Sequence, residues 1–419
     1  MRCESLNQRV KNGIKILKTG AFWIGVAVLA TCTNDAKEAG TSNQKTADVD
    51  TAQIPAIYHL SGRLGDTEVV MDIQEERMPL GTEERVFKGF YYYVPYGGPI
   101  AVYGFLEANG QLILTEQGAW EGEAHRFEGK WENGRHFQGK WYNGNGKDIH
   151  PFNLHHQDSG IVTLHLRHHE DSLKAFADWA VSPQLFYSLE WVEPLPNDSL
   201  KEESLRFLQK AIWENLLDTT LRSLPENKNA LLAADNALRY ADFMDNMHFM
   251  RQQGLLDSTA TNSDVFLSAN YTYSTSTQVY YNSLNLITLG FTDYYYTGGA
   301  HGMYATRVYS YDLVRQRRLR LKDVLKPGFE KAVTAALVRA VRLKFNLPDL
   351  SPLSTVLFED GIQPNNNYGF TEKGVFFVYA PYEVAPYAAG EIELFVAFEN
   401  IKEFVRPEWL ERAGLKPNE

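Results

Sequence analysis

Cysteine is almost missing from this chain of 419 residues: Cys3 and Cys32 stand near the N-terminus and none follows. A folded body without thiols is neither a disulfide scaffold nor a thiolate-ligated metal protein. Basic charge is scarce too. Lys and Arg number 41 against 52 Asp and Glu, a formal net charge of -11, which excludes the broad basic surface that a nucleic-acid partner needs. Glycine (31) and proline (17) are too few for a fibrous or fully disordered chain. The apolar run Ala21–Ala30 (AFWIGVAVLA) falls well short of the roughly 20 residues that span a bilayer.

What the chain does have is aromatic side chains, 23 Tyr and 23 Phe among them, and flat rings suit pleated, half-buried surfaces. Its first 31 residues read as an address. Arg2, Arg9, Lys11, Lys15 and Lys18 form a basic region, the short apolar run follows, and Leu29-Ala30-Thr31-Cys32 ends it. This resembles the lipobox of bacterial lipoproteins, although Thr31 departs from the usual Gly, Ala or Ser. The resemblance implies cleavage before Cys32 and a diacylglyceryl thioether on its sulfur, with acyl chains anchoring the protein to a membrane. The alternative is an ordinary secretory signal in which Cys32 is incidental. The chain after Cys32 keeps 36 basic against 51 acidic residues, net -15. Residues 32–56 are polar and read as a flexible tether.

Residues 57–157 carry short alternating runs punctuated by glycine, which predicts an all-β antiparallel meander. Ile100–Leu106 and Gln111–Glu116 flank Asn109-Gly110, a hairpin signature. A ten-residue repeat follows: FEGKWENG from Phe127 recurs as FQGKWYNG from Phe137. It reads as a hairpin ladder with Trp131 and Trp141 on one face; the rival reading is an exposed carbohydrate platform. Eight of the eleven histidines lie between His125 and His169, in no spacing that matches a zinc site, so no metal is expected.

Residues 158–419 alternate strands and helices. Ser199 and Glu202 form a capping box ahead of Leu205, Leu208, Ile212 and Leu216 at helical spacing. A second helix runs from about Asn229 to Gln253, stopped by Gly254. Strands are predicted at Val265–Thr275, Gln278–Leu284 and Leu286–Tyr296, and an amphipathic helix at Phe329–Phe345. The expected fold class is therefore α+β, an N-terminal all-β meander followed by helices packed on an antiparallel sheet.

Two motifs stand out: YTGGAHG at Tyr296–Gly302 and PYEVAPYAAG at Pro381–Gly390, with LKDVLK at Leu321–Lys326 between them. Their order resembles the envelope domain of unknown function shared by the anti-sigma factor RsiV and the non-catalytic part of the peptidoglycan deacetylase PdaC. That resemblance covers about residues 160–405. It implies a cell-envelope location facing the periplasm or cell surface, and a binding role toward peptidoglycan or a lysozyme-like protein. It carries no catalytic residue and no cofactor.

The motifs also have chemistry of their own. Gly298 and Gly299 can adopt positive φ and present successive N–H groups. His301 can change protonation near neutrality. Glu383 lies between Pro381 and Pro386, which would hold it rigidly. The candidate binding residues are Tyr296, Gly298, Gly299, His301, Tyr382, Glu383 and Tyr387. The alternative is an envelope hydrolase in which His301 and Glu383 form a hydrogen-bonded pair, with Asp293 or Tyr296 beside them. Against both stands a purely architectural role, in which the glycines serve a tight turn and Glu383 caps the fold.

Overall fold

Alternating apolar residues and glycine-rich turns build eight consecutive strands: β1 (Ile57–Leu64), β2 (Thr67–Glu76), β3 (Arg85–Tyr93), β4 (Ile100–Leu106), β5 (Gln111–Glu116), β6 (Arg126–Glu132), β7 (His136–Tyr142) and β8 (Ile149–His156). The computed structural model describes residues 57–76, 85–117, 124–196, 200–216, 228–262, 266–283 and 285–416. The leader, Cys32, the tether and Ser199 of the expected capping box lie outside them.

The strands run up and down as the sequence predicts, but they do not stay an open meander. β1 pairs with β8 in antiparallel register, Leu60 opposite His156 through Leu64 opposite Phe152, and closes a barrel. Closure satisfies the backbone groups that two edge strands would leave unpaired. Leu60, Met71, Phe87, Leu112, Leu114, Phe127, Phe137 and Leu154 fill the interior. Trp131 and Trp141 point into the same core and are buried. The repeat is thus a core ladder, and its tryptophans offer no platform to a sugar. Tyr91 is inside as well, its hydroxyl donating to Glu116 at 2.6 Å.

The second body is a six-stranded sheet with the order β14-β13-β12-β11-β10-β9. Its strands are β9 (Leu164–Lys174), β10 (Gln184–Pro194), β11 (Tyr271–Asn282), β12 (Leu286–Tyr296), β13 (Met303–Asp312) and β14 (Arg317–Arg318). The expectation of a wholly antiparallel sheet fails at one place. β10 and β11 run parallel, because the long connection through α1 (Glu202–Leu216) and α2 (Lys228–Gln252) gives the chain length for a crossover. The predicted strands at Val265–Thr275 and Gln278–Leu284 are a single strand beginning at Tyr271, with a bulge between Val279 and Tyr281. Val265 itself lies outside the described residues.

Helix α1 buries Leu205, Leu208, Ile212 and Leu216, the stripe expected from spacing. Leu208 and Ile212 pack in one cluster with Trp191, Leu289 and Phe291 of the sheet. Met247 of α2 is core filler beside Phe243 and Tyr271. The chain ends in α3 (Leu321–Val324), α4 (Glu330–Lys344), a three-stranded sheet of β15 (Tyr368–Phe370), β16 (Gly374–Tyr379) and β17 (Ile392–Ala397), and α5 (Pro407–Ala413). Val333, Leu337 and Val341 of α4 pack with Leu394 and Val396 of β17.

The barrel joins the rest through the outer face of β2 and β3. Phe90, Tyr280 and Phe376 stack in series at 3.9 and 5.0 Å. Around them sit buried charges. His59 Nδ1 lies 2.7 Å from Asp72, and Lys88 lies 2.7 Å from Glu76 and 3.6 Å from Glu190. Burial alone would lower the His59 pKa, but the Asp72 charge and hydrogen bond outweigh it and the net shift is upward. A folded-state value above the unfolded one stabilises the protein below about pH 6.5, and that stabilisation is lost as pH rises through the folded value. Unfolding free energies of the wild type and His59→Gln, measured from pH 5.5 to 8.5, are therefore expected to converge toward the alkaline end. A constant difference across the series would rule out this linkage.

Candidate functional site

The β12–β13 hairpin and the β16–β17 connection meet at the surface. β12 ends in Tyr294-Tyr295-Tyr296, and the chain turns through Gly298 (φ 98°) and Gly299 (φ 97°). Both values lie where a side chain would strain the backbone. The Tyr296 hydroxyl ties the turn by donating to the Gly299 carbonyl at 3.0 Å. Gly302 must lack a side chain for another reason: a Cβ there would stand 2.5 Å from the Tyr294 hydroxyl.

His301 is exposed on this turn. Its Nδ1 lies 2.9 Å from the Gly302 carbonyl, which can only accept, so that nitrogen carries the hydrogen. The Tyr387 hydroxyl donates to the same carbonyl at 2.9 Å. The His301 and Tyr387 rings stack with centroids 4.1 Å apart. Tyr382 packs near Tyr387 at 5.5 Å, and Tyr304 meets Tyr387 edge-on at 6.2 Å. Tyr382 is 51% exposed and has φ 68°, a strained conformation for a bulky residue that costs about 1–3 kcal/mol and marks an over-determined loop.

The two motifs therefore converge, through Tyr387 rather than Glu383. The Glu383 carboxylate accepts from Asn365 Nδ2 at 2.9 Å and from the Ala380 N–H at 2.8 Å. It caps the start of its own loop, while His301 takes the Gly302 carbonyl, so the His301–Glu383 hydrogen bond of the hydrolase alternative is not formed. Asp293 is held elsewhere, by Arg307 at 2.8 Å and the Thr275 hydroxyl at 2.8 Å. Among the described residues no three His, Cys, Asp or Glu are grouped to hold a metal ion.

Sequence reasoning missed Glu391, which directly follows the second motif. Its carboxylate accepts from the Thr306 N–H and, at 2.8 Å, from the Thr306 hydroxyl. Burial pushes this carboxyl up to about 7, against the pull of the two Thr306 bonds. Tyr294 and Tyr304 were missed as well, since each looks like one more residue of a regular strand.

Two family matches fall on the two halves of this site. Residues 220–304 match the family described as Deacetylase PdaC. Residues 322–399 match the Protein of unknown function (DUF3298) family. Over 186 residues the chain is 21% identical to the Peptidoglycan-N-acetylmuramic acid deacetylase PdaC of Bacillus subtilis (strain 168), covering 43% of this chain and 38% of that protein. The chain thus spans well under half of that relative. A member of the DUF3298 family from Bacteroides fragilis has the same fold, with TM-score 0.52 and 19% identity over 61% of this chain and 99% of that one. A DUF3298 family protein from Pseudomonas aeruginosa PAO1 matches at 20% identity over 59% of this chain and 96% of that one, with TM-score 0.39. Tyr296–Gly302 sits in the segment that matches Deacetylase PdaC and Pro381–Gly390 in the segment that matches DUF3298. The site is where the two segments touch.

Proposed function

We propose that this is a cell-envelope protein that binds peptidoglycan, tethered to its membrane through lipid on Cys32, with a glycan strand lying across the surface made by His301, Tyr382, Tyr387 and Tyr296. The observation that carries the reading is the stack of His301 on Tyr387 beside the exposed ring of Tyr382. Flat rings at a surface meet the apolar faces of sugars, and the neighbouring hydroxyls supply oriented polar contacts. The similarity to a protein named for its action on peptidoglycan points the same way. Among the described residues no helix is long and apolar enough to cross a membrane; the attachment proposed here is lipid on Cys32.

Calorimetric titration with an N-acetylglucosamine–N-acetylmuramic acid tetrasaccharide tests the reading. Binding is expected, weakened roughly tenfold by Tyr382→Ala, the effect of removing one central aromatic contact. A flat titration overturns it. Binding of a lysozyme-like protein without any binding of glycan would transfer the surface to that partner instead.

The match of residues 220–304 to a deacetylase family favours a second reading, chemistry on the sugar N-acetyl group. Acetate release from the same tetrasaccharide would support it. Glu383 hydrogen-bonds Asn365 and the Ala380 N–H, and His301 the Gly302 carbonyl, so the two are not joined as a pair in this structure.

A further inference from the structure

The surface exists only while the β16–β17 loop sits on the β12–β13 hairpin. Near its start the loop is tied to itself and to Asn365 through Glu383. Across to the hairpin it is tied by the Tyr387 hydroxyl and by Glu391. Glu391 takes both the N–H and the hydroxyl of Thr306, and that hydroxyl lies 2.8 Å from the Thr292 hydroxyl. One carboxylate thus fastens the loop to β13 and, through Thr306, to β12. Thr306 lies two residues beyond Tyr304, whose ring supports Tyr387.

We propose that Glu391 is the positioning residue of this site: it holds Tyr387 against His301, so the stacked surface depends on a side chain that never reaches the ligand. This rests on the reading of that surface as a glycan site. The bonding also specifies which replacement succeeds. A glutamine can accept from the Thr306 N–H through its oxygen and donate through its amide to Thr306 Oγ1, whose own O–H then turns to Thr292. An alanine can do neither.

Proton NMR of the histidine rings in the full chain reads the stack directly, because the Tyr387 ring current shifts the His301 protons upfield; His301→Gln assigns the signal. The expected result is an upfield signal in the wild type and in Glu391→Gln, lost in Glu391→Ala, with tetrasaccharide affinity falling roughly tenfold only in the alanine variant. Thr306→Val, which keeps the N–H bond, is expected to fall between them and serves if Glu391→Ala does not fold. An upfield signal that survives in both Glu391→Ala and Thr306→Val overturns the proposal, as does an equal loss in Glu391→Gln and Glu391→Ala. Loss of the signal in Glu391→Ala from a wild type that binds no tetrasaccharide would leave the positioning role standing and remove the glycan reading.

Discussion

Lys88→Met is expected to destabilise the protein by about 3–5 kcal/mol, the range for removing one partner of a buried ion pair. The Lys88 ammonium lies between Glu76 and Glu190, with side-chain exposures of 16%, 27% and 11%. Burial opposes its charge, but the two carboxylates outweigh burial and raise its pKa. Glu190 shows the opposite balance: burial raises its carboxyl, and Lys88 is the principal force pulling it down. Without the ammonium, two carboxylates share a covered interface between barrel and sheet, with Gln74 still donating to Glu190 at 3.0 Å. Guanidinium unfolding gives the midpoint and slope. Glu190→Gln in the Lys88→Met background is expected to recover a large part of the loss, since the uncompensated charge and not the missing methylenes carries the cost. A Lys88→Met midpoint shift worth less than about 1 kcal/mol would show that the three groups are uncoupled.

That interface shows where sequence reasoning stops. In β2 Asp72 and Gln74 alternate with Met71 and Ile73, and in β3 Lys88 follows Phe87, the pattern of a half-solvated strand. Their face is covered by another sheet, a contact between Lys88 and Glu190 that are about a hundred residues apart in the chain. Local signals were legible: the Asn109-Gly110 hairpin, the helical stripe of α1 and the repeat strands all have a short-range cause. Barrel closure was not, because Leu60 opposite His156 has no signature in either strand. The parallel pairing of β10 and β11 depends likewise on where a long connection returns.

The candidate site divides along the same line. Positive φ at Gly298 and Gly299 follows from residue type, whereas the meeting of the two motifs is a long-range contact that neither motif announces. Of the two readings of Glu383, a cap or a partner of His301, its bond from the Ala380 N–H fits the cap, while Tyr387, also a candidate from the sequence, is the ring that faces His301. Glu391 opens the run Glu391-Ile392-Glu393-Leu394, where alternation suggests two solvated carboxyls. Both are instead covered, one by Thr306 and one by Tyr280.

Tyr280 carries the other large effect. It is the extra residue in the bulge of β11, since Val279 pairs with Leu289 and Tyr281 with Thr288. A bulge re-aims the side chain it adds, and this one drives the Tyr280 ring between Phe90 of the barrel and Phe376 of β16. The ring is 2% exposed, and its hydroxyl donates to Glu393 at 2.8 Å. Tyr280→Ala removes both stacks and opens a cavity where three strand systems meet, so a loss of about 3–5 kcal/mol is expected from chemical unfolding. Tyr280→Phe keeps the stacks and strips the donor from a carboxyl whose pKa burial already raises, against the pull of Tyr280 and then Lys344. Its expected cost is about 1–3 kcal/mol. The sign of its pH dependence follows from the charge. The lost bond stabilised the ionised carboxylate, so the Tyr280→Phe deficit should be largest above the Glu393 pKa and shrink as acid protonates that group. A deficit that grows on acidification would mean that the hydroxyl serves the protonated form, and a Tyr280→Ala variant within about 1 kcal/mol of wild type would mean that the barrel is not held through this ring.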